Sequence, residues 1–136
     1  PSDQSGRCAA LQGTLHVGID PTLAGAFPDA QYLTPLVGEA AITSPKTGSY
    51  TALSHAMKVG AQGPEVVYTL VSYGRIVKTG PGQVGVKHHF HIYLPSQDAD
   101  GDGIPRQSQT PADCIQVHSL DTRIPMFNSF SKNCGD

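Results

Sequence analysis

Charge is scarce in this sequence, and long helices are hard to build from it. Lys and Arg number 9 and Asp and Glu 11 in 136 residues, and just two of the acids are glutamates, Glu39 and Glu65. Long solvated helices are therefore not expected. No cluster of Lys and Arg occurs, and the net charge is −2. The chain thus carries no electrostatic footprint for nucleic acid or an anionic membrane surface. No apolar run approaches the roughly 20 residues of a membrane span. Cysteine is limited to Cys8, Cys114 and Cys134, with no C-x-x-C pair, which excludes a zinc knuckle and a thioredoxin-like motif. P-loop, G-x-S-x-G and H-E-x-x-H patterns are missing as well. No internal repeat or linker divides the chain, so a single domain over residues 1–136 is expected. With neither an initiator Met nor a leader at Pro1, the chain is read as a mature or excised product, and export has to be inferred indirectly.

What the sequence does contain is loop-forming. Gly (15) and Pro (11), joined by abundant Ser and Gln, make up about a third of the chain. Leu, Ile, Val and Phe still supply about a fifth, in compact runs, and the length suffices to bury a core. The apolar residues repeat with period two rather than 3.6. Residues 11–19 alternate as a half-buried strand that Pro21 ends, and 25–35 read as loop. A short run from 36 to 42 precedes a turn over 43–48, whereas 50–59 fits either a helical turn or a strand. The clearest element is a hairpin within 65–94. Its first strand covers 65–78, with Gly74 expected to form a bulge, and its second covers 84–94; the turn is Thr79-Gly80-Pro81-Gly82-Gln83. A further strand is expected over 115–120, and 124–130 suits an apolar tail. This pattern predicts an all-β fold, an antiparallel β-sandwich or small barrel with long Gly/Pro-rich loops.

Two glycine-bearing segments invite chemistry, and one is a decoy. Gly80-Pro81-Gly82-Gln83-Val84-Gly85 matches G-x-G-x-x-G, but that motif needs a helix N-terminus to receive a pyrophosphate. A strand-like run follows instead, so the glycines belong to the hairpin. The second segment, Asp98-Ala99-Asp100-Gly101-Asp102-Gly103-Ile104, places three carboxylates at alternate positions. They converge if the backbone wraps one point, with Gly103 making the sharp turn and the Ile104 carbonyl adding an oxygen. A hard, oxygen-seeking cation converts their mutual repulsion into coordination.

This segment resembles the DxDxDG calcium loops of EF-hands and, more closely, of thrombospondin type-three repeats, over about residues 97–114. The resemblance includes Asp113-Cys114, which stands where those repeats often have an Asp and a Cys. It implies Ca²⁺ ligands at Asp98, Asp100, Asp102 and the Ile104 carbonyl. Position twelve of the loop is Gln109, a weaker donor than the usual bidentate Glu, and Arg106 replaces a frequent Asp. Asp113, Asp121 or water is left to close the shell. A shell so composed implies a dissociation constant on the order of 10⁻⁴ to 10⁻³ M, as in extracellular modules.

Six histidines form the other candidate set. Alternation along 84–94 turns His88 toward the core and places His89 and His91 together on the polar face. His16 and His118 occupy polar faces of their own strands. If these strands are neighbours, the four imidazoles suit Cu²⁺ or Zn²⁺. In an oxidising compartment a Cys114–Cys134 bridge, tying down a tail over 114–134, is the favoured pairing, with Cys8 left over or pairing instead. Together these features predict an extracytoplasmic, calcium-stabilised binding module, secreted, periplasmic or at a cell surface, whose partner is an extracellular protein or glycan. The alternative is a copper- or zinc-binding protein. An enzyme is the weakest reading, because no spacing singles out a nucleophile and its base.

Overall fold

A computed structural model describes residues 20–122 and, for the backbone alone, Arg7–Gly13. The chain orders as β1 (Arg7–Gly13), α1 (Pro21–Ala26), β2 (Tyr32–Leu33), β3 (Leu36–Ser44), β4 (Thr47–Gly60), β5 (Gly63–Gly80), β6 (Gln83–Tyr93) and β7 (Asp113–Thr122). The strands all pair antiparallel in one sheet of order β1-β3-β4-β5-β6-β7, with β2 also on β4. The expected all-β antiparallel fold is therefore present, as a single sheet curled into a half-barrel. The stretch 50–59, ambiguous by pattern, lies wholly within β4.

Tight turns fix the register. Gly60 opposes Gly63, whose φ of 115° only glycine adopts readily, and Gly80 opposes Gln83 across Pro81 and Gly82. Between β3 and β4, the Ser44 hydroxyl accepts from the Lys46 N–H at 3.2 Å and bonds Thr47 Oγ1 at 2.7 Å. The register slips between Ile42 and Ser44, Ala56 and Met57, and Lys78 and Gly80. Such bulges bend and twist a sheet, which is how long strands such as β4 and β5 curl.

Gly74 departs from expectation. It pairs in register with Tyr50 on one side and His88 on the other, with no bulge. Its glycine serves close approach: a Cβ there would lie 2.8 Å from Cε1 of the Tyr50 ring. The aromatic ring occupies the space that a side chain would need.

The inner face of the curl holds the core. Ala56, Tyr68, Leu70, Phe90 and Ile92 form one buried cluster with Leu23 of α1, and Tyr50, Ala52 and Val86 form a second. Helix α1 corrects the loop expected from residue 25 onward. Asp20 caps it, its carboxylate accepting from the N–H groups of Thr22 (2.8 Å) and Leu23 (3.2 Å), and Pro21 occupies its first turn. Six residues are too few for a helix to persist alone. Burial of Leu23, and Phe27 packing on Tyr68 at 4.6 Å between ring centroids, hold it in place.

Among the described residues, no helix is long and apolar enough to cross a membrane. Residues 14–19 of the expected first strand and the tail over 124–130 lie outside the described residues.

Candidate metal centre

Strand β6 delivers the chain to the outer face of the sheet, where the acidic loop begins. Pro95–Gln97 forms one 3₁₀ turn, and the segment then runs irregularly to β7. It is tied down at several points. The Tyr93 hydroxyl donates to the Gln109 carbonyl at 3.5 Å, the Gln97 amide donates to the Thr110 carbonyl at 2.9 Å, and the Ala112 N–H donates to the Ile92 carbonyl at 2.8 Å. Across the sheet, His55 Nε2 of β4 donates to the Gly103 carbonyl at 2.9 Å. Thr69 and Tyr93 are buried on this face.

Inside the loop the three carboxylates converge. One oxygen each from Asp98, Asp100 and Asp102 lies within 4.8 Å of the others, the one such group of three acid, His or Cys donors among the described residues. Gly101 and Gly103 adopt φ of 70° and 74°, the left-handed turns that wrap the backbone. At Gly103 a Cβ would also come within 3.1 Å of His55 Nε2, so a side chain there would strain the backbone and press on the His55 ring. The carboxylates are aimed by backbone N–H groups: Gly103 donates to Asp98 Oδ2 at 2.8 Å and Ile104 to Asp102 Oδ1 at 2.8 Å.

One feature fits a cation. Asp98 Oδ1 is buried and lacks any hydrogen-bond partner, a costly state for a carboxylate oxygen without a positive neighbour. Arg106 reaches the cluster from outside, 3.6 Å from Asp100 Oδ2. Hydrogen bonding within the loop holds the Asp100 carboxyl below its ordinary range, with Arg106 contributing. Hard oxygen donors of this kind are the ligand type that calcium takes, six to eight at a time.

The remaining expected ligands divide. Ile104 follows directly in the turn, with its side chain exposed. Gln109 has both ends of its amide engaged, accepting from the Arg106 N–H at 3.1 Å and donating to the Gln97 carbonyl, so it clasps the loop shut. Asp113 sits on β7 and accepts from the Cys114 N–H at 2.8 Å. Asp121 pairs with Val84, at the end of β6 remote from the loop. Eight residues of strand, about 27 Å, separate that pair from the Ile92–Asp113 pair. That distance removes Asp121 from the shell.

The histidines also divide. His89, His91 and His118 share the outer face, as expected. Tyr73 stands against the first two, stacked on His89 at 4.9 Å and bonded through its hydroxyl to His91 Nε2 at 3.1 Å. These three do not form a group of converging metal donors. His16 and Cys134 lie outside the described residues, as does the Cys8 side chain. Cys114 is exposed beside His91, with no disulfide among the described residues.

His88 faces the inner side, and there the strands assemble a polar chain that sequence spacing could not reveal. Tyr50 Oη lies 2.6 Å from Ser72 Oγ and 2.5 Å from His88 Nδ1, and His88 Nε2 lies 2.7 Å from Ser119 Oγ. Four strands contribute one residue each. Burial lowers the His88 pKa, Asp121 opposing that shift and His118 reinforcing it. Burial likewise raises that of Tyr50, with the Ser72 hydrogen bond opposing it. Both groups are accordingly neutral at pH 7.

Because the folded His88 binds its proton more weakly than the unfolded one, the unfolded state takes up more protons on acidification. Stability from this group is complete above the unfolded pKa of 6.5 and is lost as pH falls toward the folded value. Urea unfolding at pH 8 and pH 5 should show wild type losing more stability than His88→Gln; equal losses would contradict the assignment. Comparison of the chain with protein-family models, curated proteins and solved structures finds no match.

Proposed function

We propose that the chain is an extracytoplasmic β-sheet binding module in which Asp98, Asp100 and Asp102 hold a structural Ca²⁺ that orders the 95–112 segment. The observation that carries this reading is the convergence of three carboxylates, together with an Asp98 oxygen that is buried and unpartnered. Ion, loop and sheet are linked through the His55–Gly103 hydrogen bond, so cation binding stabilises more than a surface turn. A dissociation constant on the order of 10⁻⁴ to 10⁻³ M suits the calcium levels found outside cells. The ligand recognised by the module is an extracellular protein or glycan.

Thermal unfolding tests the reading. At 10 mM CaCl₂ such an affinity stabilises the fold by about 1.4–2.7 kcal/mol. That corresponds to a rise in melting temperature of about 4–10 °C for a domain of this size. MgCl₂ should give a smaller rise, because Mg²⁺ demands near-octahedral geometry and sheds water reluctantly. No rise with calcium, or an equal rise with both salts, contradicts the proposal.

A further inference from the structure

The inner face of the half-barrel carries a second site, independent of the calcium reading. A cavity of about 420 Å³ opens there, walled by Leu36, Ile76, Val86, Phe90 and Val117. Its volume lies within the range of small-molecule pockets, which are mostly apolar with a few convergent polar groups. Those groups are the members of the Ser72–Tyr50–His88–Ser119 chain, and exposed Asp121 stands at the rim.

The hydrogen-bond arithmetic of this chain specifies a partner. Ser72, Tyr50, Ser119 and neutral His88 have four donor hydrogens for the three bonds that join them. With the proton on Nδ1, His88 donates to Tyr50, Tyr50 donates to Ser72, and Ser119 donates to Nε2. Ser119 is then left with free lone pairs. With the proton on Nε2 every bond reverses, and the Ser119 hydrogen is left over. Ser72 is buried, whereas Ser119 is only partly so and sits on β7, at one edge of the described sheet. The chain therefore presents at Ser119 either a donor or an acceptor, at no cost in charge. An oxygen that can play both parts, an alcohol or a hydrated carbonyl, satisfies it in both states.

Charge narrows the choice further. A carboxylate in this cavity would meet the Asp121 carboxylate at the rim and find no cation among the residues lining the walls. An ammonium would have only the exposed, solvated Asp121 to pair with, so burying a charge of either sign against such walls is unfavourable. We infer that the inner cavity binds a small, uncharged, mainly apolar molecule bearing one hydroxyl group, with its hydroxyl on Ser119 and its hydrocarbon against Ile76, Val86, Phe90 and Val117.

Titration of the full chain with octanol, octanoate and octylamine, followed by amide NMR shifts, tests this inference. Octanol should give saturable shifts at Tyr50, Ser72, His88 and Ser119, with an affinity at least tenfold above that of octanoate or octylamine. Val117→Trp, which fills the cavity, should weaken octanol at least tenfold while preserving the dispersed spectrum. If that variant does not fold, Ile76→Trp serves the same purpose from the opposite wall. Ser119→Ala should weaken octanol by about two- to tenfold, the worth of one hydrogen bond. Absence of saturable shifts at millimolar octanol overturns the inference, as do equal or tighter binding of octanoate or octylamine and shifts confined to the outer face. The wild-type comparison of the three probes decides the matter without any variant.

Discussion

Replacing Phe90 with alanine should destabilise the protein by about 3–5 kcal/mol, a large share of the stability of an ordinary domain. Phe90 is 2% exposed and lies at the centre of the inner face. It packs in the cluster of Tyr68, Leu70 and Ile92, stacks on the His88 ring at 5.7 Å, and forms one wall of the cavity. Its removal deletes those contacts and joins new empty volume to an existing cavity, so collapse around the lost ring is hindered. The melting temperature should fall by about 10–20 °C. Val77→Ala, at a residue 39% exposed on the same sheet, should cost no more than about 0.5 kcal/mol. A loss below about 1 kcal/mol at Phe90 would mean that the inner face is a wet groove and not the core.

Asp98→Asn should change the sign of its effect with calcium. In a chelator the substitution removes one of three crowded negative charges, and its amide oxygen still accepts the Gly103 N–H that Asp98 Oδ2 accepts at 2.8 Å. The variant should then be as stable as wild type, or more so. In 10 mM CaCl₂ wild type gains about 4–10 °C in melting temperature and the variant gains almost none. Asp100→Asn should behave alike, its loss in chelator limited to an exposed ion pair with Arg106, worth about 0–1 kcal/mol. A loop shaped by hydrogen bonds alone predicts the same change in both buffers.

How much of this was legible in the sequence follows from the range of the interactions. The hairpin within 65–94 could be read because period-two alternation and turn glycines are local signals, and the structure places its strands at Gly63–Gly80 and Gln83–Tyr93. The turn at Gly103 was legible for the same reason. Helix α1 had a readable signal in Asp20-Pro21, a capping residue followed by a first-turn proline, but its six residues leave no periodicity to see. The role of Gly74 could not be read, because it depends on a tyrosine 24 positions earlier that strand register alone brings beside it. The His55 clamp on Gly103 spans 48 positions. The Ser72–Tyr50–His88–Ser119 chain requires four strands, β4 to β7, in the right order. His88 was correctly turned inward by alternation, yet its partners belonged to elements whose adjacency one sequence does not encode locally. The same long-range information decided against Asp121 as a loop ligand.

The abundance of Gly and Pro also has a physical meaning in this fold. The outer face is covered at one end by a segment that contributes no buried apolar side chain of its own between residues 95 and 112. Its order rests on hydrogen bonds to Tyr93, Ile92 and His55 and on how its three carboxylates are neutralised. Under the proposed reading, a cation bound by these carboxylates would add to that order.

Isothermal titration of CaCl₂ into the metal-free chain measures that ion directly. The account predicts a saturable heat with one ion per chain, a dissociation constant on the order of 10⁻⁴ to 10⁻³ M, and no such heat in an Asp98→Asn/Asp100→Asn variant that remains folded. A folded wild-type chain that gives no heat with calcium at several temperatures and no rise in melting temperature, or that binds equally well with both aspartates replaced, would contradict it.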